Sequence, residues 1–272
     1  MTPVTNNNAA IDLRLIDSHC HVHDTEFFAD NREELYQQSI AAGIGMICVG
    51  TDQRSSQQAV EFAASRDFAW ATVGVHPHDS KDGWNEVEQL LKSREDNSPI
   101  VAIGEIGLDY YYNHSPRDVQ IQALEAQLQL AVDYNLPVSL HVRDGAPDQP
   151  SVWDDFWPIF DNFHGLRGVL HSFTDTRLNL DKGFARGLYV GLNGISTFTK
   201  DQAQQELFAS IPLERLLLET DAPFLTPKPF RGKLNKPEYV ELVAKYWATE
   251  RKLVLHDLEK AATDNTVKLF GL

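Results

Sequence analysis

The sequence is poor in cysteine and has no long apolar run. It contains only two cysteines in 272 residues, Cys20 and Cys48, and they form no repeating spacing. That pattern does not fit a disulfide-stabilised secreted domain. No stretch approaches the roughly 18 apolar residues of a membrane helix, and no apolar signal segment follows Met1. We therefore expect a cytoplasmic protein without membrane attachment.

Basic residues are also scarce. The chain has 24 lysines and arginines against 39 aspartates and glutamates, a formal net charge of -15. This balance argues against bulk attraction to nucleic acid, whose binding usually depends on Lys and Arg contacts to phosphate. Bound divalent cations would invert the field around them, so a metal site could still draw in an anionic substrate.

Apolar runs that end in polar residues recur eight times along the chain. They are Leu13 to His21, Ile44 to Thr51, Ala69 to His76, Ile100 to Gly107, Pro137 to Arg143, Gly168 to Phe173, Leu188 to Gly194, and Arg215 to Asp221. Stretches with helical spacing lie between them. Eight strand and helix units in alternation predict an α/β fold of the TIM (β/α)8 barrel type.

The same pattern predicts one domain. Helices are expected at 32–42, 116–134 and 152–163, and the helical stretch from Pro237 to Phe270 is expected to pack on the barrel. No linker or low-complexity run divides the chain. We therefore expect a flexible N-terminal tail over residues 1–10 and a single barrel domain over 11–272.

Six side chains of metal-binding type stand at the ends of the predicted strands. They are His19, His21, Glu105, His141, His171 and Asp221. In a barrel the carboxyl ends of all strands meet at one mouth, and side-chain alternation places His19 with His21 on one face. Imidazole and carboxylate groups suit Zn, Mn or Mg, and a carboxylate can bridge two ions. The set predicts a metal site, with a satisfied polar core as the alternative.

Three further polar residues share these strand ends. His76 could hydrogen-bond the substrate phosphate or the leaving oxygen, or be an ordinary loop histidine. Arg143, on the same face as His141, could clamp a phosphate or form a salt bridge with Asp144 or a neighbouring residue. Glu219 lies deeper than Asp221 and could orient a ligating histidine or be a structural carboxylate.

Other candidates are weaker. The loop after the eighth strand is basic and could bind substrate phosphates through residues such as Arg231 and Lys233, or could be a solvated lip. Cys20 is expected to face the helices as a buried thiol. Tyr110, Tyr111 and Tyr112 could stack on bases or cover the barrel rim. The remaining histidines are expected on the surface or in loops without partners at strand ends: His23, His78, His114, His164 and His256.

Six segments together carry a family resemblance. "IDSHCH", "GVHPHD", "GEIGLDYY", "PVSLHVRD", "HSF" and "LLLETDAPFLTP" occur in an order and spacing that resemble the TatD-family deoxyribonucleases, from about Leu15 to the C-terminus. Ser172 and Asp175 stand at positions where Cys and Gly are common in the family. This departure is expected to affect the shape of the loop more than metal ligation.

The resemblance implies a barrel of the amidohydrolase type that holds two divalent ions, either Mg, Mn or Zn. It implies His19, His21 and Asp221 on one ion and His141 and His171 on the other, with Glu105 as the bridge.

The predicted function is a metal-dependent hydrolase that cleaves phosphodiester bonds of DNA, as an exonuclease on single strands or at ends. Attack by metal-activated water, with Asp221 as the general base and Glu105 and His76 as further catalytic residues, needs no covalent nucleophile, and no Gly-x-Ser-x-Gly elbow is present. We expect no obligate protein partner. The alternatives are an amide or ester hydrolase, for example of aminoacyl esters, and a metal-stabilised binding protein. The predicted fourth strand lacks the lysine that resemblance to cyclic amide hydrolases would require.

Overall fold

Eight parallel strands form one sheet in the computed structural model, which describes residues 13–95 and 97–272. The strands are β1 (Leu15–Cys20), β2 (Ile44–Val49), β3 (Ala69–Val73), β4 (Ile100–Asp109), β5 (Val138–Arg143), β6 (Gly168–Leu170), β7 (Tyr189–Leu192) and β8 (Leu216–Leu218). Each strand pairs with the next strand in the chain. This order confirms the predicted barrel, whereas the predicted tail over residues 1–10 lies outside the described residues.

Helices follow the strands in the manner of βα units. Their bounds are α1 (Thr25–Phe28), α2 (Arg32–Ala41), α3 (Gln53–Ala63), α4 (Asn85–Lys92), α5 (Arg117–Asp133), α6 (Val152–Asp161), α7 (Arg177–Ala185), α8 (Ile195–Phe198), α9 (Gln202–Ala209), α10 (Val240–Glu250) and α11 (Leu255–Phe270). Short 3-10 turns cover Ser80–Asp82, Leu213–Arg215 and Pro237–Tyr239.

The starts of several helices are fixed by side-chain caps. Asp52, Ser151 and Thr176 each accept a hydrogen bond from a backbone N–H in the first turn of α3, α6 and α7, which satisfies a donor that the helix itself leaves unpaired. The predicted C-terminal helix is divided into α10 and α11, because Lys252 between them adopts a left-handed φ of 54°. These caps and breaks explain the helix bounds.

Backbone and side-chain bonds close the barrel between β8 and β1. The Asp221 N–H donates to the His19 carbonyl at 2.8 Å, and the His21 N–H donates to the Ala222 carbonyl at 2.8 Å. The buried Asp17 carboxylate accepts from the backbone N–H and the hydroxyl of Thr220 at 2.8 and 2.6 Å. The closure therefore brings the histidines after β1 directly beside Asp221.

Strand alternation divides the core into an inner and an outer layer. Met46 and Cys48 pack with Cys20 against apolar side chains of α2 and α3, while Ile47 and Val49 join a separate cluster with Leu217 and Phe270. Cys20 is buried as a free thiol on the helix side, as alternation predicted. Within the described ranges, no helix combines the length and apolarity needed to cross a bilayer.

Candidate metal centre

The six predicted ligands meet at the carboxyl ends of the strands. The Glu105 carboxylate lies 3.0 Å from His141 Nδ1, 3.2 Å from His171 Nε2 and 3.4 Å from His19 Nε2. Asp221 Oδ1 lies 3.2 Å from His21 Nε2. The rings of His19 and His171 stack with centroids 3.7 Å apart. Residues spread over about two hundred positions therefore form one cluster, with Glu105 near its centre.

The cluster opens into a cavity of about 770 Å³ at the mouth of the barrel. His21, Glu105, His141, His171 and Asp221 line its floor, and side chains from the loops after β4 and β8 line its wall. This is the usual place for an active site in a barrel of this type.

Three of the histidines each have one nitrogen held by an acceptor behind the cluster. His21 Nδ1 lies 2.8 Å from the Val49 carbonyl, and His171 Nδ1 lies 3.2 Å from Glu219 Oε1. His141 Nε2 lies 3.0 Å from Asp109 Oδ2. A ring N–H that donates outward leaves the other nitrogen with its lone pair free, and here that nitrogen faces Glu105 or Asp221. This is the arrangement that metal-ligating histidines require.

His19 supplies a further observation. Its ring is almost completely buried, and Nε2 has no hydrogen-bond partner even though Glu105 Oε2 and Asp221 Oδ1 lie 3.4 and 3.7 Å away. A buried polar atom without a partner is costly in a folded protein. A cation between these three atoms would satisfy it, so the residues present fit a divalent ion.

The donor atoms form three overlapping groups, in each of which the atoms lie within 4.8 Å of one another. The groups are His19, Glu105 and His171; His19, His21 and Asp221; and His76, Glu105 and His141. Glu105 and His19 each belong to two of the three groups, and they share the group with His171. The predicted pairing of His141 with His171 is not one of these groups, although both approach the same Glu105 oxygen.

Buried charge at this site is balanced by histidines. Burial alone would raise the pKa of Glu105, but His171, His76 and His19 hold that pKa well below its ordinary value. Burial likewise opposes ionisation of Asp221, and the hydrogen bond from His21 outweighs it, so that the pKa of Asp221 is lowered. Both carboxylates are therefore ionised at neutral pH and available to cations.

The pKa values of the histidines shift in opposite directions. Burial disfavours protonation of His171, yet the charges of Glu105 and Glu219 outweigh burial and raise its pKa well above 6.5. His141 behaves similarly, since burial is outweighed by Asp109 and Glu105, and its pKa is raised. Burial and the neighbouring His171 lower the pKa of His19. Without a metal ion, protons on some of these rings therefore neutralise the carboxylates.

His76 differs from the other histidines in the cluster. Its Nδ1 accepts a hydrogen bond from the His78 backbone N–H at 3.2 Å, and its Nε2 lies 3.6 Å from Glu105. Burial and the neighbouring His141 lower the pKa of His76 well below 6.5. The neutral ring must therefore carry its proton on Nε2, toward the cavity, where it is a hydrogen-bond donor rather than a lone-pair ligand.

Glu219 lies behind His171, at the depth that the sequence predicted. Its Oε1 accepts from the Ser172 N–H at 2.6 Å and faces His171 Nδ1. Gly191 on β7 leaves room for it, because a Cβ at that position would lie 2.2 Å from Glu219 Oε2. This contact has the geometry that the predicted orienting role of Glu219 requires.

Sequence reasoning missed Asp109. Strand β4 continues two residues beyond the predicted end at Gly107, and Asp109 is completely buried. Its Oδ2 faces both His141 Nε2 and His78 Nε2 at 3.0 Å. Asp109 has the same strand parity as Glu105, and that signal could have identified it.

Gly107 allows this continuation of β4. Its φ is 153°, and a Cβ there would lie 1.7 Å from the His141 carbonyl oxygen. Only glycine permits β4 to pass so close to β5. The close approach brings Asp109 beside His141.

Two histidines lie in environments that the sequence did not predict. His78 was expected to lack a partner at a strand end, but it contacts Asp109 and lines the cavity. His23 was expected on the surface or in a loop, but it is completely buried, with Nε2 3.0 Å from the Ser55 hydroxyl. The expectation that His78 lacks a partner at a strand end was wrong, because loop packing is not visible in strand periodicity. His23 lies in a loop, as expected, but it is buried rather than on the surface.

Arg143 is the one arginine that lines the cavity among the described residues. Arg143 lines the cavity and has no carboxylate within salt-bridge distance among the described residues, so the alternative of a bridge to Asp144 is not observed. Its guanidinium lies 4.5 Å from the Tyr111 ring centre and 4.7 Å from that of Tyr112. Tyr110 is buried and donates to Asp155 at 2.6 Å, which leaves Tyr111 and Tyr112 as the exposed members of the three.

Arg231 and Lys233, the two predicted substrate contacts in the basic loop, lie outside the cavity. Arg231 lies over the Phe198 ring at 3.6 Å and donates to the Thr226 carbonyl at 3.1 Å. Lys233 lies 5.3 Å from the Phe230 ring centre. Neither residue lines the cavity, so these contacts support the alternative of a structural lip.

A family model for TatD-related DNases matches residues 16–271. A metal-dependent hydrolase of Bacillus subtilis is 32% identical over 258 residues, which are 95% of this chain and 99% of that protein. A protein of Escherichia coli K12, named 3'-5' ssDNA/RNA exonuclease TatD, is 36% identical over 256 residues, which are 90% and 95% of the two chains. The crystal structure of an E. coli K12 TatD homologue superposes with a TM-score of 0.85 at 28% identity, covering 95% of this chain and 98% of the other.

Proposed function

The chain belongs to the TatD-related DNase family, and from that premise we propose that it is a metal-dependent deoxyribonuclease that hydrolyses phosphodiester bonds from an end of single-stranded DNA. The observation that carries the proposal is the set of histidine nitrogens that face Glu105 and Asp221 while their partner nitrogens are held from behind. A carboxylate and imidazole site of this kind is suited to phosphoryl transfer to water.

We propose that two divalent ions bind here, either Mg, Mn or Zn. His19, His21 and Asp221 would hold one, His141 and His171 would hold the other, and Glu105 would contact both. When bound, the ions supply a water of lowered pKa and positive charge beside the phosphoryl oxygens. The mixed nitrogen and oxygen donor set does not distinguish among the three metals.

Asp221 is our candidate for the general base. Its side chain is 15% exposed, at the boundary between the ligands and the cavity, and the hydrogen bond from His21 helps to keep it ionised. It also adopts a left-handed φ of 58°, a conformation that is uncommon for a residue other than glycine and that recurs at functional sites. These features support a role in accepting a proton from the attacking water.

His76 and Arg143 are our candidates for contacts to the substrate. The His76 Nε2–H is free to donate to a phosphate oxygen or to the leaving oxygen, because Nδ1 is occupied by the His78 N–H. Arg143 provides an uncompensated positive charge in the cavity wall. In an acidic chain, one local cation together with bound ions is sufficient to orient an anionic strand.

A cleavage assay with end-labelled substrates tests this function. Metal-loaded protein is incubated with single-stranded DNA, duplex DNA, RNA, and model carboxylic esters and amides, and an Asp221→Asn preparation controls for contaminating nuclease. We expect stepwise shortening of single-stranded DNA that stops in excess chelator. Hydrolysis of esters or amides without cleavage of any nucleic acid would overturn the proposal and favour the alternative hydrolase.

A further inference from the structure

Exposed aromatic side chains are concentrated at the mouth of the barrel. Among the described residues, the large aromatic side chains that are strongly exposed are Phe27, Tyr111, Tyr112 and Phe224, at 45 to 56%. They come from the segments that follow β1, β4 and β8, which surround the ligand cluster. Exposed apolar groups gathered at one place commonly mark an interaction surface.

Tyr111, Tyr112, His114 and Arg143 form one continuous surface, which we call the tyrosine platform. The rings of Tyr112 and His114 stack with centroids 5.6 Å apart and planes 10° apart. The Arg143 guanidinium lies over both tyrosine rings. Tyr112 and Arg143 also line the cavity, so the platform is continuous with the metal centre.

The platform is attached to the catalytic cluster by hydrogen bonds. The backbone N–H groups of Tyr111 and Tyr112 both donate to Asp109 Oδ1 at 2.9 Å. The other oxygen of Asp109 faces His141. The position of the tyrosines is therefore fixed relative to a proposed ligand, which simple coverage of the rim would not require.

The opposite wall carries a second aromatic pair. Phe27 and Phe224 pack edge to face with centroids 5.3 Å apart, and the Phe224 ring centre lies 6.4 Å from that of His21. The ligands thus lie between two aromatic surfaces. Of these two aromatic surfaces, only the tyrosine platform includes a cation. It is therefore complementary to a nucleic-acid strand, which presents both phosphates and planar bases.

We propose that the tyrosine platform binds an unpaired base of the substrate strand by stacking, with Arg143 beside the adjoining phosphate. The inference rests on the proposed function, because it assigns a base-binding surface to that substrate. Bases in a duplex have both faces covered by their neighbours, whereas an unpaired base offers a free face to an aromatic ring. The platform would accordingly favour single strands without reading their sequence.

A binding experiment with and without bases tests the platform. Two phosphorothioate strands of equal length, one with normal bases and one abasic, present the same charge, and their affinities are compared on metal-loaded protein. We expect wild type to bind the base-bearing strand more tightly. Tyr112→Ala should weaken that binding by roughly 5- to 100-fold, the range for loss of one base stack, with a much smaller change for the abasic strand.

Two further variants serve as controls. Tyr112→Phe keeps the ring and should retain the wild-type preference for bases. Val254→Ala removes an apolar side chain ahead of α11 that is more exposed than Tyr112 and does not line the cavity, and it should bind both strands as wild type does. Equal affinity of wild type for the two strands, or an equal loss for both strands in Tyr112→Ala, would overturn the platform.

Cleavage is scored separately from binding. Base-dependent binding that requires Tyr112, without cleavage of any nucleic acid, would overturn the proposed function and support the platform. Cleavage of DNA with base-independent binding would overturn the platform and leave the proposed function in place.

Discussion

The two ends of the barrel handle charge in different ways. At the amino-terminal end, three arginines directly precede strands, and each donates to a carbonyl of a neighbouring loop: Arg14 to Ala42, Arg167 to Asn135, and Arg215 to Gly187. Arg14 also pairs with Glu241 and Glu259 from the C-terminal helices. The charge of Arg14 is therefore balanced by carboxylates of the same chain.

At the mouth, Glu105, Asp109, Glu219 and Asp221 are buried or nearly so, and among the described residues none of them pairs with a lysine or arginine. Their partners are histidines, which are neutral whenever they ligate a metal. Buried carboxylates without a fixed cation are costly. The difference indicates that the mouth, unlike the amino-terminal end, is suited to binding positive charge from outside the chain.

Removal of the Asp221 charge at the mouth should lower activity without lowering stability. Asp221→Asn keeps the shape of the side chain but removes the charge that accepts a proton, so kcat should fall by at least ~10²-fold, with little change in Tm. Steady-state kinetics and thermal unfolding of the same preparation measure both quantities. Activity within a few-fold of wild type would remove Asp221 from the proposed mechanism.

Asp109 should act through His141. Asp109→Asn removes the charge that holds His141 Nε2, and affinity for one metal ion should weaken about 10- to 100-fold, as loss of a residue that orients a ligand usually causes. Metal titration followed by calorimetry checks this, with Asp155→Asn as a surface carboxylate control. If Asp109→Asn and the control bind metal equally well, Asp109 is only structural.

Metal binding should strengthen as pH rises. The pKa of His171 is raised, since burial is outweighed by Glu105 and Glu219, and a metal ligand must be deprotonated. Rings that are protonated near neutral pH must release a proton, so affinity should increase by up to about tenfold per pH unit for each proton until the raised pKa is passed. Titrations at several pH values measure the slope. Affinity that is constant between about pH 6 and about pH 8 would contradict these protonation states.

At the amino-terminal end of the barrel, a substitution should lower stability and leave metal binding and activity unchanged. Arg14→Met leaves the nearly buried Glu259 without its partner, so stability should fall by about 1–3 kcal/mol, or several degrees in Tm. Metal content and kcat should match wild type. A loss of bound metal in this variant would mean that the two ends are not independent.

Strand periodicity was sufficient to predict the barrel and the six side chains that meet at its mouth. Several of the apolar runs end at or near a polar residue that lines the cavity, as at His141 and Asp221. The side chains that hydrogen-bond the predicted ligands from behind were harder to predict. Asp109 was missed because the predicted fourth strand ends at Gly107. The close approach of β4 to β5 that this glycine permits is a tertiary feature, which the strand pattern does not show.

Loop residues were the least predictable. Arg143 could be placed on a strand face, but its position over Tyr111 and Tyr112 depends on the path of the loop after β4. The basic residues Arg231 and Lys233 were candidates by charge alone, and packing against Phe198 and Phe230 draws them away from the cavity. Residue type and spacing carry no information on such contacts.

Metal counting on matched glutamate variants tests the central claim most directly. Glu105→Ala removes the carboxylate shared by two of the three donor groups, whereas Glu241→Ala removes a carboxylate that pairs with Arg14 at the other end. We expect up to two ions in wild type and in Glu241→Ala, and the loss of at least one ion, with loss of activity, in Glu105→Ala. Full metal content at unchanged affinity in Glu105→Ala would contradict it.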